Sequence, residues 1–576
     1  MTASNVSIVA ALRQLVTYTQ LEDGQSQSFR TRAYEKAIDA IVATPDEIGG
    51  LSLAELMSID GIGDSTARKI IEYSANGSIG KVERLKKKYP PTMLDLMRIP
   101  GLGPKTVLAL QEHLDVVDVD GLRAALDSQQ LRTLPGLGPK SEQKISDSIQ
   151  LLGIHSDTTR KPIFDAMRIA QRVMSELGTS GDVVRMEYAG SLRRLSETIG
   201  DIDILVTSDE PGRVISEFLD LPGVTAILGS GGTKASIVID DSMQVDLRVV
   251  PDRAFGAALM YFTGSKGHNI ELRKRSLALG FTLNEYSLSR VDDGEAVGAL
   301  TESDIYEALG LQWITPEVRE GTSEIAAADA GALPRPLSVT DIRGDLHVHS
   351  SWSGDGRSSL ADMLDAVVSR GLDYVAITDH AENLAINGLS RQRMRDQREE
   401  IEMHQERLPG LEILHGVELN IDGDGSIDYD PEFLEMFDVG VASVHSHFDL
   451  DESAQTDRLL TAIANPAVTV IGHPTGRRIG RRPGITFNAD AVFAAAAETG
   501  TALEINCSLH RLDLPASMLR KAMDVTGVMF AVSTDSHHVN DLDSISWGVS
   551  QARKGWVPHE RVLNSLPKGE FLSRIR

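Results

Sequence analysis

Two aspartates set one residue apart are the first residues in this sequence whose spacing indicates chemistry. Asp201 and Asp203 lie in the run 200–205, where apolar residues alternate with the carboxylates and predict a strand. Alternation with a period of two puts both carboxylates on one face of that strand. Neighbouring carboxylates repel each other, and a fold tolerates them mainly where cations bind between them. A second alternating strand, 243–249, adds the carboxylate of Asp246.

Groups suited to phosphate stand just upstream of these aspartates. A Gly190-Ser191 turn is followed by Arg193 and Arg194, and arginine matches the geometry of a phosphate well. Carboxylates, arginines and a Gly-Ser turn together indicate a two-metal phosphoryl-transfer site built on a sheet. The alternative is that the two aspartates are ordinary outward-facing residues of a half-exposed strand.

A second group of reactive residue types lies in the C-terminal part of the chain. Seven short apolar runs there end in histidine or a carboxylate, and helical patterns separate most of them. This alternation predicts a closed parallel (β/α) barrel, a fold that keeps its chemistry at the C-terminal ends of its strands. A single buried histidine is more often a satisfied core residue than a ligand, but the repeated placement favours metal binding. The runs are 345–349, 374–380, 415–418, 441–447, 468–473, 502–506 and 530–537.

One glycine-rich motif occurs three times in the helix-rich first 160 residues. Its two glycines let the backbone turn tightly, and the following helix presents free N–H groups that can hold a DNA phosphate. A single copy would indicate only a turn between helices, whereas three copies favour binding of the DNA backbone. The copies resemble helix-hairpin-helix motifs. Their glycines are Gly61 and Gly63, Gly101 and Gly103, and Gly136 and Gly138.

The stretch 190–205 resembles the corresponding part of family X DNA polymerases, the nucleotidyltransferases that fill short gaps. The later runs 261–265 (Tyr-Phe-Thr-Gly-Ser) and 280–286 are similar to the thumb signatures of that family, in the expected order. The resemblance covers roughly residues 1–315. It implies that Asp201 and Asp203 bridge two Mg²⁺ or Mn²⁺ ions, while Asp246 holds the ion that activates the primer 3′-hydroxyl.

The same resemblance implies contacts to the incoming dNTP. Ser191, Arg194 and Gly200 would hold the triphosphate. Tyr261 and Gly264 stand where the family contacts the sugar edge. Asn269 and Arg273 stand where it contacts the nascent base pair.

Lys69 matches the position at which lyase-active members of the family form a Schiff base with an abasic sugar. Arg30 and Tyr34 match residues of that pocket, but Ser65 replaces a second lysine that is common in such relatives. A nucleophilic lysine needs a lowered pKa. A 5′-deoxyribose-phosphate lyase is therefore one hypothesis for Lys69, and a lysine that only binds phosphate is the other.

The C-terminal residues 345–576 resemble the polymerase-and-histidinol-phosphatase (PHP) domain. All nine positions that bind three divalent metals in that family are filled here. The first metal would take His347, His349, Glu418 and Asp535, the second Glu418, His445 and His473, and the third Asp355, His380 and His537. Mixed imidazole and carboxylate ligands suit Mn²⁺, Zn²⁺ or Fe²⁺. His447 and Glu504 lie outside the nine, and we expect them to support the ligands or the fold.

Such a site next to a polymerase predicts a Mn²⁺-dependent 3′–5′ exonuclease acting on DNA 3′ ends, with 3′-phosphatase or abasic-site cleavage as additional activities. Small phosphoesters such as histidinol phosphate are the competing substrates. Four arginines follow His473, and Arg477 and Arg478 are predicted to clamp DNA phosphates. The alternative for them is a solvated basic loop.

The bulk composition is that of a globular protein. The 576 residues are 41% hydrophobic and 24% charged, and no apolar run reaches membrane-spanning length. Cys507 is the single cysteine, which fits a reducing cytoplasm, and no signal peptide is expected. The net charge of −26 argues against a general basic surface for nucleic acid, so DNA contacts are expected to be local.

These patterns predict a multidomain fold: a helical N-terminal region, an α/β palm and thumb, and a distorted (β/α)7 barrel. We expect a monomer that binds gapped or nicked DNA and dNTPs, and no membrane. A phosphoesterase whose polymerase half is only a DNA tether, and a non-catalytic scaffold for DNA ends, are the alternatives. The predicted boundaries are 1–90 (first hairpin domain), 91–160 (two further hairpins), 161–255 (palm), 256–315 (thumb), 316–344 (linker) and 345–576 (PHP barrel).

Overall fold

The structure is a computed structural model, and it describes residues 5–25, 28–42, 48–59, 61–97, 102–134, 137–138, 142, 145, 160–240, 243–298, 300–384 and 387–575. The chain forms two compact units, Met1–Thr158 and Thr159–Arg576. No described helix combines the length and the apolar character that a membrane crossing needs.

The first unit is helical. Its core is apolar, with Leu12, Leu15, Leu56 and Ile70 among the fully buried side chains. Ser52 and Glu55 form a capping box at the start of one of its helices. The helices are Asn5–Asp23, Phe29–Val42, Leu53–Ser58, Asp64–Asn76, Gly80–Lys88, Pro91–Leu96, Pro104–Leu114 and Val119–Asp127.

The palm is a mixed sheet with helices on both faces. Its strands pair in the order β2-β4-β7-β6-β5, and β4 and β7 are parallel. The helices Ile163–Gly178 and Pro211–Leu219 bury their apolar faces against one side of the sheet, and Phe255–Thr263 covers the other. The strands of this sheet are β2 (Arg185–Tyr188), β4 (Asp201–Thr207), β5 (Val224–Ser230), β6 (Lys234–Ile239) and β7 (Met243–Val250), while β1 (Lys161–Pro162) and β3 (Thr198–Ile199) pair separately with each other.

The thumb packs helices against a small antiparallel sheet. Its core contains Leu272, Ile305 and Tyr306, all fully buried. The helices are Lys266–Ala278 and Glu302–Ala308, and the strands are β8 (Phe281–Leu283), β9 (Leu288–Arg290) and β10 (Ala296–Gly298).

The segment 316–344, predicted as a linker, is folded at its beginning. It contains the short helix Glu324–Asp329, and Val318 and Ala328 are buried in the thumb core. The fully buried Arg319 donates to the carbonyl oxygen of Ile314 (2.9 and 2.8 Å). An alanine-rich composition does not distinguish a connector from a short helix that packs through small side chains. We propose that the thumb continues through this helix and that the connector begins after it.

The predicted barrel is confirmed. The seven strands described between residues 344 and 533 pair in chain order and all are parallel. A parallel bridge between Val348 and Ser536 brings the end of the last strand back to the first. The strands are β11 (Gly344–Val348), β12 (Tyr374–Ile377), β13 (Glu412–Asn420), β14 (Val439–Ser443), β15 (Val470–Gly472), β16 (Ala502–Asn506) and β17 (Phe530–Ser533).

Helices surround the barrel because each strand carries apolar residues on its outer face as well as its inner one. They are Leu360–Ser369, Arg391–Arg407, Pro431–Leu434, Glu452–Ile463, Ala489–Thr499, Ala516–Ala522, Ile545–Lys554 and Lys568–Ile575.

Candidate active sites

The palm carboxylates come together because β4 and β7 are parallel neighbours. Asp203 lies directly opposite Asp246 in the strand register, and Asp201 lies opposite Gln244. Gln244 Nε2 donates to Asp246 Oδ1 (2.9 Å), which orients that carboxylate. The structure therefore places Asp203 and Asp246 side by side on paired strands, with Asp201 two residues before Asp203 at the start of β4.

Burial and mutual repulsion disfavour the charged form of these groups. Burial first, and then the charges of Asp201 and Asp246, raise the pKa of Asp203 to about 7. Burial and the charge of Asp246 also raise the pKa of Asp201. A divalent cation among the carboxylates would remove this repulsion, and oxygen ligands suit Mg²⁺ and Mn²⁺. The residues present thus fit the predicted ions.

The Gly-Ser turn lies against the carboxylates. A Cβ atom on Gly190 would lie 2.6 Å from Asp203 Oδ2, and φ at this residue is +61°, a backbone conformation that glycine adopts without strain. The short helix Gly190–Arg193 carries Ser191, so this predicted triphosphate residue is close to Asp203.

Arg194 links the predicted triphosphate residues to the thumb. Its Nη1 donates to the carbonyl oxygen of Thr263 (2.5 Å), the residue before Gly264, while its buried Nε has no hydrogen-bond partner among the described residues. Burial lowers the pKa of Arg194. Gly200 directly precedes β4, and a Cβ atom there would lie 3.4 Å from Arg160 Nη1. A buried cation beside the carboxylates is suited to an incoming polyphosphate.

The three remaining thumb residues of the prediction contact one another. Asn269 Nδ2 donates to the carbonyl oxygen of Tyr261 (2.7 Å). The guanidinium of Arg273 lies 5.1 Å from the centre of the Tyr261 ring, within the range of a cation–π contact. Their arrangement is compatible with the predicted contacts to the nucleotide.

Glu302 and Arg319, which were not predicted from the sequence, form an ion-pair network with Arg193 that connects thumb and palm. Glu302 accepts hydrogen bonds from Arg193 Nη1 (2.9 Å) and Nη2 (2.7 Å), and from Arg319 Nη1 (2.5 Å). Although burial opposes the change, Arg319 and Arg193 lower the pKa of Glu302 to about 2. Nothing in the local sequence pattern indicates an ion pair between residues 109 positions apart.

Lys69 lies in a partly enclosed position beside Tyr34. Its Nζ donates to the carbonyl oxygen of Ser65 (3.0 Å) and to Ser65 Oγ (2.9 Å), and lies 5.4 Å from the centre of the Tyr34 ring. Burial, and then the charge of Lys81, lower the pKa of Lys69. Arg30, by contrast, forms ion pairs with Asp23 and with a neighbouring glutamate. The pKa of this lysine is thus shifted in the direction that a nucleophilic amine needs.

The hairpin glycines fall into two structural classes. Gly61 has a φ of +102°, and a Cβ atom there would lie 3.1 Å from the carbonyl oxygen of Lys36. Gly63, Gly103 and Gly138 face open space, and the first two begin helices without a side-chain cap. Free helix N–H groups with room in front of them are what binding of a backbone phosphate requires. Gly101 and Gly136 lie outside the described residues.

The barrel residues predicted as metal ligands converge on Glu418. Its Oε1 lies 3.2 Å from Nε2 of both His445 and His473 and 3.4 Å from His347 Nε2. Its Oε2 lies 3.5 Å from His349 Nε2. Glu418 is therefore placed to bridge the first and second predicted metals.

The other two carboxylates complete the cluster. Asp535 Oδ1 lies 3.4 Å from His349 Nε2 and 3.7 Å from His537 Nδ1. Asp355 Oδ2 lies 3.1 Å from His380 Nε2 and 3.5 Å from His537 Nε2. All nine predicted ligands thus lie in one connected group.

Unpaired buried atoms test whether this group fits metal ions. The described residues provide no hydrogen-bond partner for His347 Nε2, His349 Nε2, Glu418 Oε1 or Asp355 Oδ1. Leaving a buried polar atom unpaired costs about 1–3 kcal/mol, so a fold keeps such atoms where a ligand satisfies them. Imidazole nitrogens mixed with carboxylate oxygens fit Mn²⁺, Zn²⁺ or Fe²⁺.

The pKa values of neighbouring imidazoles in the cluster are shifted in opposite directions. Burial first, and then the neighbours His537 and His380, lower the pKa of His349 to about 3. Although burial opposes the change, Glu418 and Asp355 raise the pKa of His380 to about 10. A divalent cation would replace the protons that the carboxylates hold on such imidazoles.

Polar residues behind the ligands fix the orientation of the rings. His347 Nδ1 lies 2.7 Å from Glu504 Oε1, and His445 Nδ1 lies 2.8 Å from Asn420 Oδ1. These contacts leave the Nε2 atoms facing Glu418. We had no sequence-based expectation for Asn420, although its position at the end of β13, two residues after Glu418, could have indicated it.

The arginines after His473 differ in their surroundings. Arg477 donates to the carbonyl oxygens of Arg511 (2.8 Å) and Leu512 (2.5 Å) and to Glu197 of the palm (2.7 Å). Its donors therefore join barrel and palm rather than facing the metal cluster. Arg478 lines the cavity above that cluster. Arg511, which sequence reasoning missed, lies 3.6 Å from an oxygen of Asp535.

Comparison with known families agrees with this arrangement. The helix-hairpin-helix domain matches residues 3–79, and the SAM-like helix-hairpin-helix tandem matches 93–150. The DNA polymerase beta thumb matches residues 258–320, and the PHP domain matches 345–508.

Individual relatives match between 40% and 97% of the chain. The chain is 36% identical to the DNA polymerase/3'-5' exonuclease PolX of Bacillus subtilis over 562 residues, 97% of each protein. It is 27% identical to DNA polymerase lambda of Rattus norvegicus over 51% of this chain and 53% of that one. A probable phosphatase of Shewanella sediminis is 29% identical over 40% of this chain and 93% of its own. From its hairpins to its metal-ligand barrel, the chain thus belongs to the family X DNA polymerases that carry a C-terminal PHP domain.

Proposed function

We propose that this protein is a repair DNA polymerase that fills short gaps under the direction of a template, and that its barrel is a 3′–5′ exonuclease. The observation that carries the proposal is the presence of two separate ligand groups in one compact unit. The palm group is all carboxylate and lies beside a buried arginine, whereas the barrel group mixes carboxylate with imidazole. The first composition suits Mg²⁺-assisted nucleotidyl transfer and the second suits phosphodiester hydrolysis.

In the palm, Asp201, Asp203 and Asp246 would hold Mg²⁺ or Mn²⁺. Bound cations there would supply charge neutralisation for the triphosphate and activation of the primer 3′-hydroxyl. Arg194 and Ser191 would bind the triphosphate oxygens. The new bond joins the 3′-oxygen to the α-phosphorus, and pyrophosphate leaves.

In the barrel, the nine ligand residues would hold three divalent cations, for which we propose Mn²⁺. Bound metals would supply Lewis-acid stabilisation of the phosphodiester oxygens. Glu504 and Asn420 keep the rings of His347 and His445 turned toward Glu418. Water attacks the terminal phosphorus, the bond to the 3′-oxygen of the preceding nucleotide breaks, and that oxygen takes up a proton.

One gapped substrate tests both assignments. Asp203→Ala should abolish templated extension and leave shortening of the 3′ end intact, while His349→Ala should do the reverse. DNA binding, followed by fluorescence anisotropy, should stay within about twofold in both variants, because neither substitution changes a residue of the hairpins. Undiminished extension by Asp203→Ala would remove the palm assignment.

A phosphatase acting on small phosphomonoesters is the competing activity for the barrel, and three relatives named probable phosphatase each match 38–40% of the chain. The full chain should shorten 5′-labelled single-stranded DNA more efficiently than it hydrolyses histidinol phosphate. The opposite order would favour the competitor.

We also propose a lyase role for Lys69, because its pKa is lowered beside Tyr34. Borohydride should trap a covalent adduct between the protein and a 5′ abasic end. Lys69→Ala should lose the adduct, and Lys86→Ala, which removes a half-buried lysine paired with Glu83, should keep it. An adduct that survives Lys69→Ala would exclude the role.

We propose that the protein acts as a monomer on nicked or gapped DNA in the cytoplasm. Its single cysteine, Cys507, is buried and unpaired, which agrees with a reducing compartment. Size-exclusion chromatography with light scattering should give a mass near 62.4 kDa.

A further inference from the structure

The cavity above the barrel metal cluster is not built by the barrel alone. It has a volume of 1060 Å³ and contains Asp355, Glu418 and Asp535 in its wall. The palm helix Ile163–Gly178 forms another part of the wall through Phe164, Met167, Arg168 and Gln171. These four positions follow the spacing i, i+3, i+4 and i+7, so they lie on one face of the helix.

The palm helix is firmly attached beside this cavity. The ring of Phe164 lies against that of His510, with 3.6 Å between their centres. Leu509 and Leu512, from the barrel loop after β16, are buried in the same palm core as Ile163. The helix face is therefore a fixed part of the cavity wall.

Two cations in the wall lack partners. Among the described residues, none makes a hydrogen bond or ion pair with the guanidinium of Arg168, which is exposed, or with that of Arg478. Arg357, by comparison, is paired with Asp541 (2.9 Å). Arg168 comes from the palm and Arg478 from the barrel, so the cavity has an unpaired positive charge on each of two domains.

We propose that the palm helix is one side of the DNA-binding groove of the exonuclease, and that Arg168 contacts a phosphate of the strand whose 3′ end enters the metal cluster. This inference rests on the proposed exonuclease function. It assigns to the palm a second task, which is to make the barrel select a polynucleotide over a small phosphoester. A small diester carries no second phosphate for Arg168 to bind.

A phosphate contact made by an arginine has a recognisable signature. It strengthens binding of the strand without taking part in the bond that breaks, so its loss raises KM and leaves kcat nearly unchanged. It also contributes to the salt dependence of binding, by a slope of about 0.7 for each phosphate of a single strand.

The test compares two arginines of the same helix. Arg168→Ala should raise the KM for a 5′-labelled single-stranded oligonucleotide about tenfold, reduce the salt slope by about 0.7, and change kcat by less than twofold. Arg168→Lys should restore most of the affinity, because it keeps the charge. The matched control is Arg172→Ala, because the Arg172 side chain is paired with Asp240 (2.6 Å) and does not line the cavity. The KM of this variant should equal that of the wild type.

A second substrate separates this inference from the proposed function. Hydrolysis of bis(p-nitrophenyl) phosphate by the wild type and by Arg168→Ala should be equal. An unchanged oligonucleotide KM in Arg168→Ala, or an equal loss on both substrates, would overturn the role of Arg168 while the exonuclease assignment stands. If the wild type hydrolyses the small diester but does not shorten the oligonucleotide, the proposed exonuclease fails, and the inference fails with it.

Discussion

Gly190 is a single residue whose lack of a side chain matters to the palm site. Asp203 Oδ2 occupies the space where a Cβ atom would be, at 2.6 Å, and φ is +61°. The carboxylate can approach the Gly-Ser turn only because of this glycine.

Gly190→Ala should therefore lower primer extension by about 10- to 100-fold, since the methyl group displaces Asp203 and strains the backbone. Steady-state extension on gapped DNA measures this, and 3′-end shortening should be unaffected. Gly212→Ala is the control, because a Cβ atom there meets nothing within 4 Å and φ is ordinary. Equal extension rates for the two variants would contradict the argument.

His268 is a buried histidine that stabilises the thumb. Its Nδ1 lies 2.8 Å from Glu324 Oε1, and its Nε2 lies 2.7 Å from the hydroxyl of Tyr306. Burial lowers the pKa of His268 below its ordinary value of 6.5, although Glu324 opposes the change. Because the unfolded chain then binds a proton more readily than the folded one, stability is lost as pH falls below 6.5.

We expect the midpoint temperature of thermal unfolding of the thumb to decrease as the pH is lowered from 6.5 to 5. His268→Asn should start from a lower midpoint but lose less over the same range, because asparagine does not titrate. Scanning calorimetry at several pH values measures the difference between the two proteins. Parallel pH curves would show that His268 does not contribute.

At the scale of elements, the loop after β16 belongs to two domains. Its residue Leu512 is fully buried in the palm core, and its residue Arg511 lies 3.6 Å from Asp535 of the metal cluster. Arg477 donates to the carbonyl oxygens of both Arg511 and Leu512, which fixes the loop between the two domains. Packing against the palm therefore holds a cation at the barrel site.

Leu512→Ala should destabilise the protein by about 2–5 kcal/mol and reduce exonuclease activity more than polymerase activity. Leu519→Ala is the matched control, because Leu519 is also fully buried but lies in the barrel core. It should cost a similar free energy of unfolding without that selective loss. Denaturant unfolding measures the free energy lost in each variant, and the exonuclease and polymerase assays show whether only Leu512→Ala loses exonuclease activity selectively.

At the scale of the whole molecule, the feature to explain is how a chain with a large negative net charge binds DNA. The net charge of −26 is unusual for a protein that binds DNA. Part of the acidic excess lies in the two ligand groups, where divalent cations would neutralise it, and the hairpins offer backbone N–H groups that do not enter the charge count.

Chelation should therefore lower the thermal stability of the wild type by several degrees, and Mn²⁺ should restore it, because a ligand that binds only the folded state stabilises it. Glu418→Gln should show a clearly smaller Mn²⁺-dependent shift, because this carboxylate lies within 3.5 Å of five of the other ligands. Differential scanning fluorimetry with EDTA and then Mn²⁺ measures this. An equal shift in Glu418→Gln would argue against metal binding at the barrel.

Much of this molecule was predictable because its chemistry follows local patterns. Strand alternation indicated the shared face of Asp201 and Asp203, and repeated strand ends indicated the barrel. The closure of the barrel follows from these patterns, since parallel strands bring their ends to one edge, whereas the register that sets Asp203 opposite Asp246 depends on the pairing of β4 with β7. The roles of the individual site residues stay predictions.

Only the tertiary structure decided which arginines face which site. Arg477 was predicted to clamp DNA, yet it joins barrel to palm, while Arg168, which drew no attention in the sequence, lines the cavity of the other domain. The alanine-rich segment around Glu324 likewise packs into the thumb. The physical reason is that periodicity specifies which face of an element is buried, whereas the partner on that face comes from parts of the chain that are hundreds of positions away.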